Sequence, residues 1–152
     1  MEGEEFAKRM AAFRSRCLAA GLALTHQRLV IYEELARSES HPTPEILYAA
    51  VKERIPSISL ATIYKSVRTF AEIGVLREVN ILHDSLRLDA NLDRHFHLVC
   101  TRCKGVTDVP ETVVSPIEVR EALPGRFRAE RFNVEVLGVC AACRREAPDT
   151  EV

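Results

Sequence analysis

Four of the five cysteines fall in two C-x-x-C pairs, Cys100-Thr101-Arg102-Cys103 and Cys140-Ala141-Ala142-Cys143. Each pair places two thiolates on one tight turn. Two such turns brought together supply a tetrahedral set of soft ligands, which suits zinc. Four protein ligands leave no open coordination position, so the site reads as structural rather than catalytic. The competing reading, a thioredoxin-like redox pair, calls for a βαβ pattern that the sequence does not show. Cys17 stands apart, on the helix face of Met10 and Phe13, and reads as a small core residue.

A second set of ligand types lies close by. His95 and His97 are two residues apart on an expected strand, so both project from the same face. Paired imidazoles are a common start for a metal site, although an isolated H-x-H is as readily a pair of surface or interface histidines. Asp89 and Asp108 each sit near a strand end beside the boundary between two lobes. His41 lies in a turn of the other lobe. Mixed nitrogen and carboxylate donors favour iron(II), manganese(II) or zinc over copper(I). Spacing alone does not place these five residues in one sphere.

The elements that must position these groups follow from periodicity and punctuation. Phe6, Met10, Phe13 and Cys17 recur at helical spacing and predict a helix over about 4–20, ended by Gly21. Thr25 caps a second helix through Leu29, Tyr32 and Leu35. His41-Pro42-Thr43-Pro44-Glu45 is a turn and a helix start, with Thr43 as N-cap and Pro44 in the first position. Ser59 caps a fourth helix, whose expected buried stripe is Leu60, Ile63, Val67 and Phe70 and whose outer face carries Tyr64, Lys65 and Arg68. Gly74 stops it. Strands over 75–79 and 86–89 complete a winged helix-turn-helix, with His83 at the wing tip. Beyond it, strands are expected over 95–100, 106–109 and 131–140, with a helix over 115–123 and a frayed tail after Glu146. The fold class is α+β: a winged helix-turn-helix domain over 1–88 and a small α/β domain with a four-cysteine zinc site over 89–152, hinged at about 88–93.

Composition sets the outer bounds. The chain has 152 residues and a net charge of −1, ordinary for a globular protein rather than a disordered one. Basic residues outnumber acidic ones from Lys8 to Arg77, and the balance reverses from Asp84 onward, which suggests two lobes with different partners. No apolar run approaches the roughly 18 residues of a membrane span. The acidic start Met1-Glu2-Gly3-Glu4-Glu5 is unlike a secretory signal, so a cytoplasmic location is expected.

Together these motifs are specific. The chain resembles the Fur family of ferric-uptake-type regulators from about Phe6 to Glu146. The resemblance rests on Leu24-Thr25-His26-Gln27-Arg28, His41-Pro42-Thr43, Ser59-Leu60-Ala61-Thr62-Ile63-Tyr64, His95-Phe96-His97-Leu98-Val99-Cys100-Thr101-Arg102-Cys103 and Gly138-Val139-Cys140-Ala141-Ala142-Cys143. It implies a homodimer joined through the C-terminal domains, with structural zinc at the four paired cysteines. It also implies a regulatory iron(II) or manganese(II) at His41, Asp89, His95, His97 and Asp108. Aspartate at positions 89 and 108, and the lack of histidine after His97, match the peroxide-sensing PerR branch most closely. That branch implies a repressor on palindromic double-stranded operator DNA, with His41 or His95 as the oxidation target. Tyr64, Lys65 and Arg68, with Thr62 and Ser59, are the expected DNA face. The run Tyr64-Lys65-Ser66-Val67-Arg68 departs from the asparagines often found after the tyrosine in peroxide sensors. His26 and His83 are not expected ligands. An iron- or zinc-uptake regulator of the same family is the alternative. A metalloenzyme built on His95 and His97 lacks a placed general base, and a zinc-stapled interaction module leaves the basic helix face unused.

Overall fold

The computed structural model describes residues 2–82, 85–114 and 116–146. Its chain divides into two compact units, Met1–Leu92 and Asp93–Val152. The first contains helices α1 (Glu2–Ala19), α2 (His26–Arg37), α3 (Pro44–Arg54) and α4 (Leu60–Glu72), then strands β1 (Arg77–Ile81) and β2 (Ser85–Asp89). Three helix starts are set by their caps. The side chains of Thr25, Thr43 and Ser59 accept hydrogen bonds from the amides of Arg28, Ile46 and Thr62, satisfying N–H groups that no helical turn can reach. Gly74 ends α4 at φ +75°, where Val75 N–H reaches back to Phe70 C=O at 3.0 Å.

The core of this unit is aromatic at its centre. Phe13 and Tyr32 stack with ring centroids 4.1 Å apart, and Phe70 meets both edge-on at 5.2 and 5.7 Å. Cys17 is fully buried in the same cluster. The buried face of α4 is Ile63, Ser66, Val67 and Phe70. This corrects the expected stripe: Leu60 is exposed, because it opens the helix ahead of the packed turns, and the small Ser66 takes the inward position. Tyr32 donates its buried hydroxyl hydrogen bond to Val75 C=O at 3.1 Å, pinning the end of α4 to the helical core. Burial pushes the Tyr32 phenol up to about 12, so it stays a donor throughout the physiological range. Tyr32→Phe leaves that carbonyl without its donor and should lower stability by about 1–3 kcal/mol. Urea unfolding read by circular dichroism measures it; an unchanged midpoint would show the bond to be dispensable.

β1 and β2 pair antiparallel with Arg77 opposite Asp89, so Asp89 closes the first unit's hairpin. The wing tip His83 lies outside the described residues. In the second unit, β3 (His95–Cys100) is central, with β4 (Val106–Pro110) antiparallel on one side and β5 (Glu135–Gly138) parallel on the other. A six-residue helix, α5 (Ala141–Glu146), follows. The expected helix over 115–123 is absent: Ser115 lies outside the described residues, and 116–123 carries no helix. Ile117 and Val119 there are both exposed, and so short a helix without a buried face does not sustain itself. The tail after Glu146 is likewise outside the described residues. Among the described residues no helix is long and apolar enough to cross a membrane.

Candidate metal centres

The second unit gathers its four cysteines from two chain turns. Cys100 ends β3 and Cys103 lies in the turn that follows, closed by Lys104 N–H to Cys100 C=O and Cys100 N–H to Gly105 C=O, both 3.0 Å. Cys140 follows β5 and Cys143 lies in α5. Thr101 N–H donates to Gly138 C=O at 2.8 Å, tying the first turn to the second. The four sulfurs all lie within 4.8 Å of one another. Cys103 Sγ and Cys140 Sγ are 3.8 Å apart. A tetrahedron with zinc–sulfur bonds of about 2.3 Å has an edge of about 3.8 Å, so the donor set and its spacing fit zinc. A Cβ at position 105 would stand 3.3 Å from Cys103 Sγ, a tight contact that the sulfur would have to give way to by a few tenths of an ångström.

Protons are unevenly held in this quartet. Amide donors, first Cys140 N–H and then that of Cys103, hold the Cys100 thiol down to about 6. Cys143 is pushed up to about 12, first by its hydrogen bond with Cys140 and then by desolvation. Crowded sulfurs cannot all become thiolates without a cation among them. Loading a divalent metal therefore releases protons.

Oxygen and nitrogen donors lie in each unit. In the second, His95 and His97 share a face of β3, and Asp108 lies directly across the ladder from His97. His95 Nε2 and His97 Nε2 are 3.0 Å apart, and Asp108 Oδ1 is 3.5 and 3.7 Å from them. These are the edge lengths of a coordination sphere with bonds of about 2.1 Å. His95 Nδ1 donates to Asp93 C=O at 2.7 Å, which fixes the tautomer and leaves Nε2 as the ligand atom. In the first unit, His41 Nδ1 is 3.5 Å from Asp89 Oδ1, both side chains almost fully buried. His41 holds a left-handed backbone, φ +49°, rare for a residue with a side chain. The turn is strapped to the hairpin by Leu88 N–H to Pro42 C=O at 2.9 Å. Asn91 N–H donates to Asp89 Oδ1 at 2.8 Å, orienting the carboxylate.

On α4, Tyr64, Lys65 and Arg68 share an exposed face. Ser59 and Thr62 serve the helix itself: Ser59 Oγ accepts from Thr62 N–H at 3.1 Å and lies 2.8 Å from Thr62 Oγ1. Sequence reasoning missed one contact, the Tyr64 hydroxyl donating to the Glu45 carboxylate. The two are nineteen positions apart on different helices, and no local pattern announces the pair.

A helix-turn-helix unit with a hairpin wing, followed by a unit carrying a zinc quartet and a histidine–aspartate cluster, defines a metal-responsive regulator. The profile of the ferric uptake regulator family matches residues 19–136. The chain is 34% identical over 127 residues to a peroxide-responsive repressor PerR of Staphylococcus epidermidis, covering 84% of this chain and 85% of that protein. The crystal structure of a Campylobacter jejuni peroxide stress regulator superposes with a TM-score of 0.60 at 28% identity, over 88% of this chain and 98% of that one. The Vibrio cholerae ferric uptake regulator superposes with a TM-score of 0.67 at 25% identity, over 82% and 96%. The chain belongs to the ferric uptake regulator family.

Proposed function

We propose that this chain is a dimeric, metal-dependent repressor of palindromic operator DNA, acting in the cytoplasm and inactivated by peroxide. The observation that carries this reading is the donor set: two imidazoles and an aspartate at coordination distances on β3 and β4. A buried histidine–aspartate pair stands at the end of the wing hairpin. In this reading His41, Asp89, His95, His97 and Asp108 hold one iron(II) or manganese(II), and the cysteine quartet holds zinc. Five ligands drawn from both units bind metal best in one arrangement of those units, so metal selects the DNA-binding state. In that state two copies of α4 would enter successive major grooves, about 34 Å apart. Tyr64, Lys65 and Arg68 would face the DNA, with Thr62 and Ser59 at the head of the helix. The 34% identity to a peroxide-responsive repressor supports the peroxide branch, as does aspartate rather than glutamate at positions 89 and 108.

An iron(II) held by His41, Asp89, His95, His97 and Asp108 would supply the reducing electron for peroxide, next to those ligands. The chain's part is to hold imidazole carbons within its reach. His41 and His95 are the expected targets, and an oxidised ring is a poorer ligand. The chemistry consumes its site, so the protein is a sensor and not an enzyme. Peptide mass spectrometry of the iron-loaded protein after peroxide should show one added oxygen on the peptide of His41 or His95, with loss of DNA binding. Unmodified peptides and retained binding would instead favour an iron- or zinc-uptake regulator.

A further inference from the structure

Tyr64 is the exposed aromatic of α4, with 43% of its surface accessible. Its hydroxyl is already committed. It donates to Glu45, in the first turn of α3, where the positive end of the helix favours a carboxylate. The same bond holds the Glu45 carboxyl below its ordinary range and raises the Tyr64 phenol, so phenol donor and carboxylate acceptor are the forms present at neutral pH. A phenol has a single hydrogen to donate. With it spent on Glu45, Tyr64 has no donor left for a base and offers outward its ring and the acceptor side of its oxygen.

The consequence concerns specificity, and it rests on the DNA-binding reading above. Every base pair shows a hydrogen-bond acceptor in the major groove, whether guanine N7 and O6, adenine N7 or thymine O4. A free phenol on a recognition helix would donate to any of them and discriminate little. A ring held in place can instead pack against the one apolar feature of the groove, the 5-methyl group of thymine. We propose that Glu45 is a positioning residue for base reading, which ties down the Tyr64 hydroxyl so that the ring reads a thymine methyl.

The test uses the full-length, manganese-loaded protein and a palindromic duplex enriched by that protein from a random-sequence pool. Each thymine is replaced in turn by deoxyuridine, which removes only the methyl group. At one thymine per half-site the wild type should lose about fourfold in affinity, the worth of one buried methyl group. Tyr64→Ala should abolish that ratio at the same position and so identify it. Glu45→Ala should abolish it too, whereas Glu45→Gln, which keeps an acceptor for the phenol, should retain it. The proposal is overturned if no thymine shows the penalty, if Glu45→Ala leaves it intact, or if Glu45→Gln loses it as fully as alanine does. If no duplex is enriched at all, the DNA-binding reading itself fails, an outcome separate from these three.

Discussion

Cys103→Ser should yield a protein without zinc, in which residues 93–146 lose their fold while residues 2–92 keep theirs. The second unit has little else to hold it. Among the described residues its buried apolar side chains are Phe96, Val99, Cys100, Val106 and Val109, too few for a unit of this size to stand on hydrophobic burial alone. A structural zinc site supplies on the order of 10–16 kcal/mol, comparable to or larger than the 5–15 kcal/mol net stability of a whole domain. Serine at position 103 removes one of four sulfurs and leaves an incomplete site beside Cys140, 3.8 Å away in the native protein. The first unit has its own aromatic core around Phe13, Tyr32 and Phe70 and contributes no ligand to the quartet. Elemental analysis and an amide correlation spectrum read both halves of the prediction. Zinc retained at one equivalent with undisturbed amide dispersion from 93 to 146 would show that the quartet does not hold this unit together.

Much of this architecture was legible because its causes are local. Thr25, Thr43 and Ser59 announce three helix starts by capping chemistry that acts over three residues. The alternation of β3 brought out His95 and His97 as a same-face pair, and the spacing of the cysteines brought out the quartet. What the sequence hid is non-local. Nothing in residues 135–138 announces that they pair parallel to β3, with Glu135 beside His97. Residues 116–123 carry Ile117 and Val119, which fit a helix or an extended chain equally well; packing decides, and here no core covers them. Leu60 left the expected stripe and Ser66 entered the buried face because a helix face is set by its neighbours' phase and not by hydrophobicity alone. The Glu45–Tyr64 bond depends on how α3 meets α4, which residue types do not encode.

Asp89→Ala should uncouple the protein from metal without unfolding it. Asp89 faces His41 at 3.5 Å and is oriented by Asn91 N–H. Loss of an outer partner of a metal ligand already costs about 10–100-fold in affinity, so if Asp89 is a ligand, as proposed, its loss should cost at least about 100-fold. The zinc quartet lies in the other unit and should stay filled. Metal that acts by selecting one state can raise DNA affinity only by its preference for that state, typically about 5–150-fold. The decisive measurement is therefore DNA affinity at fixed salt, with the zinc-filled protein, with and without manganese(II), in wild type and Asp89→Ala. Manganese should tighten wild-type binding to a palindromic duplex by about 100-fold and leave Asp89→Ala unchanged, at the weak metal-free level. Equal wild-type affinity with and without manganese, or an Asp89→Ala protein that responds as the wild type does, would contradict a regulator governed by metal at these histidines and aspartates.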